Sequence, residues 1–261
     1  MTRPPWRERI ERAEELATTH EFAADVLRLY VRIADFQQEL YGHIQASCTK
    51  LSTVAAAAEL SDVLKSYPAF LRVLAEHAPQ TLRRFAAAQL EHDSIAHSDL
   101  LNTFWIEGAG LNDLEEFCAR AFLQPYAEFV RSNSESSWQA YNQGPCPFCG
   151  RQPAFGVLRQ QGDGGSRSLV CSFCMAEWQF RRVLCAGCGE EDHKKLPVFT
   201  ADGLAHVRVE CCDTCRSYLK TVDLTKNGLA VPVVDEIAAI PLDLWAQGRG
   251  YRKLQVNLMQ A

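Results

Sequence analysis

From Glu8 to about Gln143 the apolar positions recur every three or four residues. Val26, Leu29, Ile33, Phe36, Leu40 and Ile44 share one face of a long helix in this spacing. Val54 to Leu64 continues in helix formers, and Pro68 and Pro79 sit where new helices can take their first turns. Residues 81 to 108 form another helical stretch, which stops at the Gly108/Gly110 break. Asn112 with Glu115 then reads as a capping box opening the segment 111 to 130. The expectation is a bundle of five or six helices.

The polar stretch from 132 to 145 ends in Gly-Pro and reads as a linker, beyond which the period changes to two. Ala154 to Leu158 and Ser168 to Cys171 predict a hairpin with its turn in Gln160 to Ser166. Leu196 to Thr200 and Ala205 to Glu210 repeat that arrangement around Ala201, Asp202 and Gly203. Ser217 to Leu224 suggests one more strand, Asn227-Gly228 a turn, and Val233 to Gln247 a helical tail that packs back on the protein. Pro241 interrupts that tail, so it either kinks or divides into two short helices.

Composition narrows the class without changing this plan. The chain has 261 residues, 47% apolar, enough for one sizeable core or two domains and not suggestive of disorder. Its net charge of -5 argues against binding nucleic acid through bulk positive charge. The acidity belongs to residues 1 to 145, which sum to -7, whereas residues 146 to 226 sum to +2. No stretch approaches about 18 uninterrupted apolar residues, and the N-terminus alternates Arg and Glu without an apolar signal core. No membrane span is therefore expected, and a cytosolic location is.

The chemistry is concentrated in cysteine. Nine of 11 cysteines lie between residues 146 and 215, and eight form CxxC pairs: Cys146/Cys149, Cys171/Cys174, Cys185/Cys188 and Cys212/Cys215. Gaps of 21 and 23 residues separate the pairs within two copies, and a spacer of 10 joins the copies. A CxxC knuckle turns both sulfurs toward one ion, and two facing knuckles make a tetrahedral four-sulfur site suited to Zn(II) or to iron. Gly150 and Gly189 follow the first knuckle of each copy and ease its turn, whereas Met175 and Arg216 hold that place in the second. A disulfide framework would need an oxidising compartment, and a thioredoxin-type motif has a single CxxC, so two metal sites are expected. Four thiolates around one divalent ion total -2, so the basic side chains nearby are expected to offset the filled sites. The default role is structural, because a small metal-bound domain draws much of its stability from the ion.

The remaining candidates have blander readings. Cys211 stands beside Cys212 as a possible ninth ligand, a redox-active thiol or an inward-facing strand residue, and the last is preferred. Cys48 and Cys118 read as small buried hydrophobes, while His92 and His97 are spaced poorly for one helical face and read as solvated or hydrogen-bonded. No Ser/His/Asp set, phosphate loop or pair of opposed carboxylates stands out, so no catalytic residue is assigned and a non-enzymatic role is expected. The fold class is α+β. A helical domain (1–143) precedes two rubredoxin-like or zinc-ribbon subdomains (144–182 and 183–226) and a helical tail (227–261).

The segments CPFCG (146 to 150), CSFCMAEWQFRRVLCAGC (171 to 188), ECCDTCRSYLK (210 to 220) and DLWAQGRGYRKL (243 to 254) resemble the formate dehydrogenase accessory proteins of the FdhE type, and the similarity extends more weakly over the helical half. The resemblance implies a cytoplasmic maturation factor with a helical N-terminal domain, two rubredoxin-like metal folds and iron as the associated metal. It implies action on the catalytic subunit of respiratory formate dehydrogenase without formate dehydrogenase activity of its own. The surfaces expected to meet that client are the acidic helices and the charged loop Glu190 to Lys195. Two other readings fit the cysteines: a rubredoxin-like electron-transfer or thiol-redox protein, and a zinc-ribbon nucleic-acid adaptor, which the acidic charge disfavours.

Overall fold

A computed structural model describes residues 6–47, 60, 62–108, 110–134, 141–162 and 164–259. The expected Val54 helix start and Cys48 lie outside the described residues. The chain is α+β, with a helical N-terminal region, then a sheet and a helical tail. It divides into two compact units, one of Met1–Ile10 and Arg28–Ser134 with Ala261, the other of Glu11–Leu27 and Glu135–Gln260.

The α-helices described from end to end before the sheet are α1 (Trp6–Thr19), α2 (Ala24–Ser47), α3 (Tyr67–His77), α4 (Gln80–Gln89), α5 (Ser94–Ile106) and α6 (Asp113–Ser132), and residues 60 and 62–64 are also helical. Leu29, Ile33, Leu40 and Ile44 of α2 are buried as their spacing requires. The stretch expected as one helix over 81 to 108 is broken between α4 and α5. Asp93 breaks it, because its side chain accepts from the N–H groups of Ile95 and Ala96 and so starts a new helix. The capping box of Asn112 and Glu115 opens α6. Pro68 lies in the first turn of α3, while Pro79 is the N-cap of α4. Helix α6 is buried along most of its length despite Pro125. That proline has no N–H for the Ala121 carbonyl one turn earlier, and Gln37 Nε2 donates to the same carbonyl at 2.6 Å. A tilted and edge-on group of Phe36, Phe70, Tyr67, Phe122 and His97 fills the core of this unit.

In the second unit β1 (Pro153–Gln161), β2 (Gly164–Cys171), β3 (Glu177–Gln179), β4 (Val198–Thr200), β5 (Val207–Cys211), β6 (Ser217–Asp223) and β7 (Arg252–Lys253) make one sheet in the order β3-β2-β1-β6-β5-β4, with β7 beside β6. The two hairpins are antiparallel, as the repeated pattern predicts, and they are joined by parallel pairing of β1 with β6. The first hairpin is longer and its turn tighter than the glycine-rich sequence suggests, closing at Gly162 with a positive φ of 56°. Gly156 lets β1 and β6 approach, since a Cβ there would stand 2.4 Å from Thr221 Oγ1.

The tail divides at Pro241 into α7 (Pro232–Ala238) and α8 (Ile240–Gly248), the proline falling in the first turn of α8. Ala239, Leu242, Ala246 and Tyr251 pack with Val207, Val209, Tyr218 and Val222 of the sheet. A charged lock sits under this apolar layer. Lys220 Nζ reaches Asp243 Oδ2 at 2.5 Å and Glu236 Oε1 at 3.1 Å, and also donates to the carbonyls of Glu236 and Ala239 at the end of α7. Lys253 bridges the same two carboxylates, Tyr218 donates to Asp243, and Asn257 donates to Glu236.

Candidate metal centres

All four knuckles close in the same way. The cysteine N–H that opens each one donates to the carbonyl five residues on: Cys146 to Arg151, Cys171 to Ala176, Cys185 to Glu190 and Cys212 to Ser217, at 2.7 to 2.9 Å. The residue after the second cysteine must then turn through left-handed backbone. Gly150 and Gly189 do so with φ of 74° and 76°. Met175 and Arg216 do so with φ of 53° and 56°, and they are the only non-glycine residues with positive φ among the described residues.

The folded hairpins bring the eight sulfurs into two clusters, Cys146/Cys149/Cys171/Cys174 and Cys185/Cys188/Cys212/Cys215, each with its Sγ atoms within 4.8 Å of one another. Sulfurs face each other across the knuckles at 3.4 Å and 3.7 Å in the first cluster and at 3.7 Å in the second. A disulfide would place them about 2.05 Å apart. The edge of a tetrahedron with metal–sulfur bonds of about 2.3 Å is about 3.8 Å, so the donor set fits a four-coordinate ion in both places. Each cluster could hold a metal ion. The ion, when bound, supplies cross-linking and neutralises thiolate charge.

Protein groups prepare the sulfurs for that charge. Phe148 N–H points at Cys146 Sγ, Phe173 N–H at Cys171 Sγ and Gly187 N–H at Cys185 Sγ, at 3.3 to 3.4 Å. Cys146 is held far below the usual thiol range by hydrogen bonds from its three sulfur neighbours, and Cys174 is pushed far above it by the same crowding. Burial raises Cys215, but the hydroxyl and N–H of Ser217 together with the Cys188 and Cys212 sulfurs more than offset it and bring it down to about 7. The Ser217 hydroxyl lies 2.9 Å from Cys215 Sγ.

The clusters differ in exposure. Cys146, Cys171 and Cys174 are buried, and Cys149 is partly so. In the second cluster Cys212 alone is buried, Cys185 and Cys215 are partly exposed, and Cys188 is open to solvent. The tail braces this second site. Arg216 donates to the Arg249 carbonyl, its guanidinium lies 4.0 Å above the Tyr251 ring, and Tyr251 donates to Asp213.

The other cysteines and histidines take quiet places. Cys211 is 3% exposed in the core between sheet and tail, and burial pushes its thiol up to about 12, which makes it the inward-facing strand residue. Cys118 is buried, His97 sits 2.7 Å from the Gln89 carbonyl, and His92 is exposed. In the loop from Glu190 to Lys195 the acids are engaged, Glu190 with Thr214 and backbone N–H groups and Glu191 with Arg181. Hydrogen bonding from Thr214 and the Asp192 N–H lowers Glu190 to about 2. Ser217 lies two residues after Cys215 but a lone serine there carries no distinct sequence signal, and the bracing Tyr251 carried none because it acts across the fold.

Fold and site together define an α+β protein carrying two four-cysteine clusters, each of which could hold a metal ion. Residues 145–182 match the family described as "FdhE, central domain", and residues 183–260 match "FdhE, C-terminal domain". The Protein FdhE homolog of Aquifex aeolicus (strain VF5) is 34% identical over 203 residues, which span 75% of this chain and 69% of that protein. The homolog of Pseudomonas putida is 40% identical over 123 residues, spanning 44% of this chain and 38% of that relative. The chain belongs to the FdhE family. The crystal structure of the FdhE protein from Pseudomonas aeruginosa shares its fold, with a TM-score of 0.75 at 23% identity over 100% of this chain and 97% of that one. No helix among the described residues is long and apolar enough to cross a membrane.

Proposed function

We propose that the chain is a cytoplasmic, non-enzymatic accessory protein for the maturation of respiratory formate dehydrogenase, which binds the catalytic subunit on a scaffold held by two metal-filled centres. FdhE family membership is the observation that carries this reading. The ligands are Cys146, Cys149, Cys171 and Cys174 in one centre, and Cys185, Cys188, Cys212 and Cys215 in the other. Iron is the metal the resemblance favours, and zinc suits the same donors. In this reading residues 144–182 and 183–226 are paired metal subdomains, served by the helical domain 1–143 and the tail 227–261. A pull-down of the formate dehydrogenase catalytic subunit under reducing, metal-replete conditions tests it. Capture by the wild type, and loss of capture in soluble paired Cys→Ser variants, is the expected result; no capture by the wild type overturns the reading.

The exposure of Cys188 favours a second reading, a rubredoxin-like electron-transfer centre at the second site. Voltammetry of the iron-loaded protein separates the two, since electron transfer requires a reversible one-electron wave that the scaffold role does not.

A further inference from the structure

The second unit carries a groove that neither cluster's ligands form. A hollow of about 360 Å³ is walled by three arginines, Arg167, Arg181 and Arg182, together with the amides of Asn142 and Gln179 and the ring of Phe180. No carboxylate lines it among the described residues. A further hollow of about 290 Å³ shares Gly165 and Arg182 with it, so the two adjoin at these residues. That second hollow ends on Asp223, which is already held by the N–H and hydroxyl of Thr225.

The cations of this groove exceed the anions that face them. Arg167 and Arg208 share the single carboxylate of Glu210. Burial raises Glu210, but the two guanidiniums more than offset it and hold the group ionised below the usual range. The Arg167 side chain is only 3% exposed, and its Nε has no hydrogen-bond partner. Arg181 pairs with Glu191 in an exposed, solvent-screened contact. Arg182 is exposed and has no ion pair among the described residues. Asn142 spends its Oδ1 on the Arg181 N–H, which leaves its amide N–H groups to donate.

We propose that this groove binds an acidic, extended peptide segment of the client protein, with Arg182 pairing to a carboxylate, Arg167 as the fixed buried cation and the amides meeting peptide groups. Two adjoining hollows, with the amides of Asn142 and Gln179 in one, that of Gln160 in the other and the bare Gly165 shared between them, fit a peptide chain with its own amides better than a compact anion. The proposal rests on the accessory-protein reading and names where, and by what chemistry, that client is met.

The test uses the full metal-loaded chain and a fluorescein-labelled decapeptide of alternating Glu and Ser, compared with its Gln counterpart by fluorescence anisotropy. The Glu peptide is expected to bind about tenfold more tightly, and less so as salt rises. Arg182→Gln and Gly165→Val should each remove that preference while retaining both metals and the wild-type melting temperature. The valine fills the shared edge of the two hollows at unchanged net charge, and since a Cβ at Gly165 stands 3.6 Å from the Arg159 carbonyl and 3.7 Å from Arg182 Nη1, it also crowds the guanidinium that meets the peptide. Equal binding of the two peptides, unchanged binding by either variant, or inorganic phosphate binding without any peptide preference overturns the proposal. So does loss of metal in Arg182→Gln, which would make the arginines counter-charges for the second cluster. In the catalytic-subunit pull-down, equal capture by wild type and Arg182→Gln sinks the groove alone, whereas no capture by the wild type sinks the accessory reading and this proposal with it.

Discussion

The two four-sulfur clusters have the same local construction and opposite surroundings. At the first, Phe173 within the second knuckle and Ala176, Trp178 and Phe180 in the segment that leaves it are buried, and Trp178 donates to the Gln143 carbonyl. Around the second, the equivalent stretch after Cys215 runs straight into β6, and the tail braces one knuckle while Cys188 stays in solvent. Duplicated knuckles therefore do not imply duplicated roles. The ligand set decides that an ion fits, and the segment leaving each hairpin decides how readily water or a chelator reaches it.

The strongest test of this contrast is removal of both ions. Structural metal contributes on the order of 10 kcal/mol to such small domains. Circular dichroism and limited proteolysis should show the region from 145 to 260 losing structure while the helices of the first unit persist; an intact sheet after verified metal loss would refute the structural role. Next in size is Lys220→Met, which removes one of the two buried lysines that pair with Glu236 and Asp243, leaves both carboxylates to Lys253, and should cost about 3 kcal/mol in chemical denaturation. Because that lock holds the tail, the variant should also speed metal loss from the second centre and leave the first unchanged.

Chelator kinetics address the comparison directly. Release should be biphasic, with the exposed centre about tenfold or more faster. Cys188→Ser should abolish the fast phase alone, and a single phase in the wild type would show that exposure does not govern access. Smaller effects come from the knuckle turns. Gly150→Ala and Gly189→Ala place a Cβ in left-handed backbone and should each cost about 1 to 2 kcal/mol, whereas Met175→Gly relieves left-handed strain but forfeits packing on Ala154, Phe155, Val157 and Val170, so its net effect should stay within about 1 kcal/mol. Arg216→Gly should not stabilise, since it forfeits the contacts to Asp213, Arg249 and Tyr251.

The smallest effect is in acid. Glu210 titrates below its ordinary value, so its contribution is present above the unfolded carboxylate pKa of about 4.3 and is lost as pH falls through the lower folded value. Glu210→Gln should flatten the acid limb of stability against pH near and below about 4. An unchanged limb would mean that the pair with Arg167 and Arg208 does not stabilise the fold.

Much of this molecule was legible in residue order because its signals are local. The knuckle spacing, the left-handed place after each one, the capping box of Asn112 and Glu115 and the division at Pro241 all depend on neighbours a few residues away. The Asp93 cap was equally local, but the apolar period running through it masked the break between α4 and α5. Strand β3 was too short to show a period. The parallel join of β1 to β6, the Gln37 bond to the carbonyl freed by Pro125 and the arginine groove link residues tens of positions apart, which periodicity does not reach.

The sequence by itself determined the eight clustered cysteines, their pairing in two copies and the helical and stranded halves, since backbone sterics and side-chain period act at short range. Only the tertiary structure decided which cluster is enclosed, that both hairpins share one sheet, that Cys211 faces the core, and that Arg182 stands exposed over a groove. Those outcomes depend on burial and on charge pairing between distant segments, and these take values only once the chain has folded.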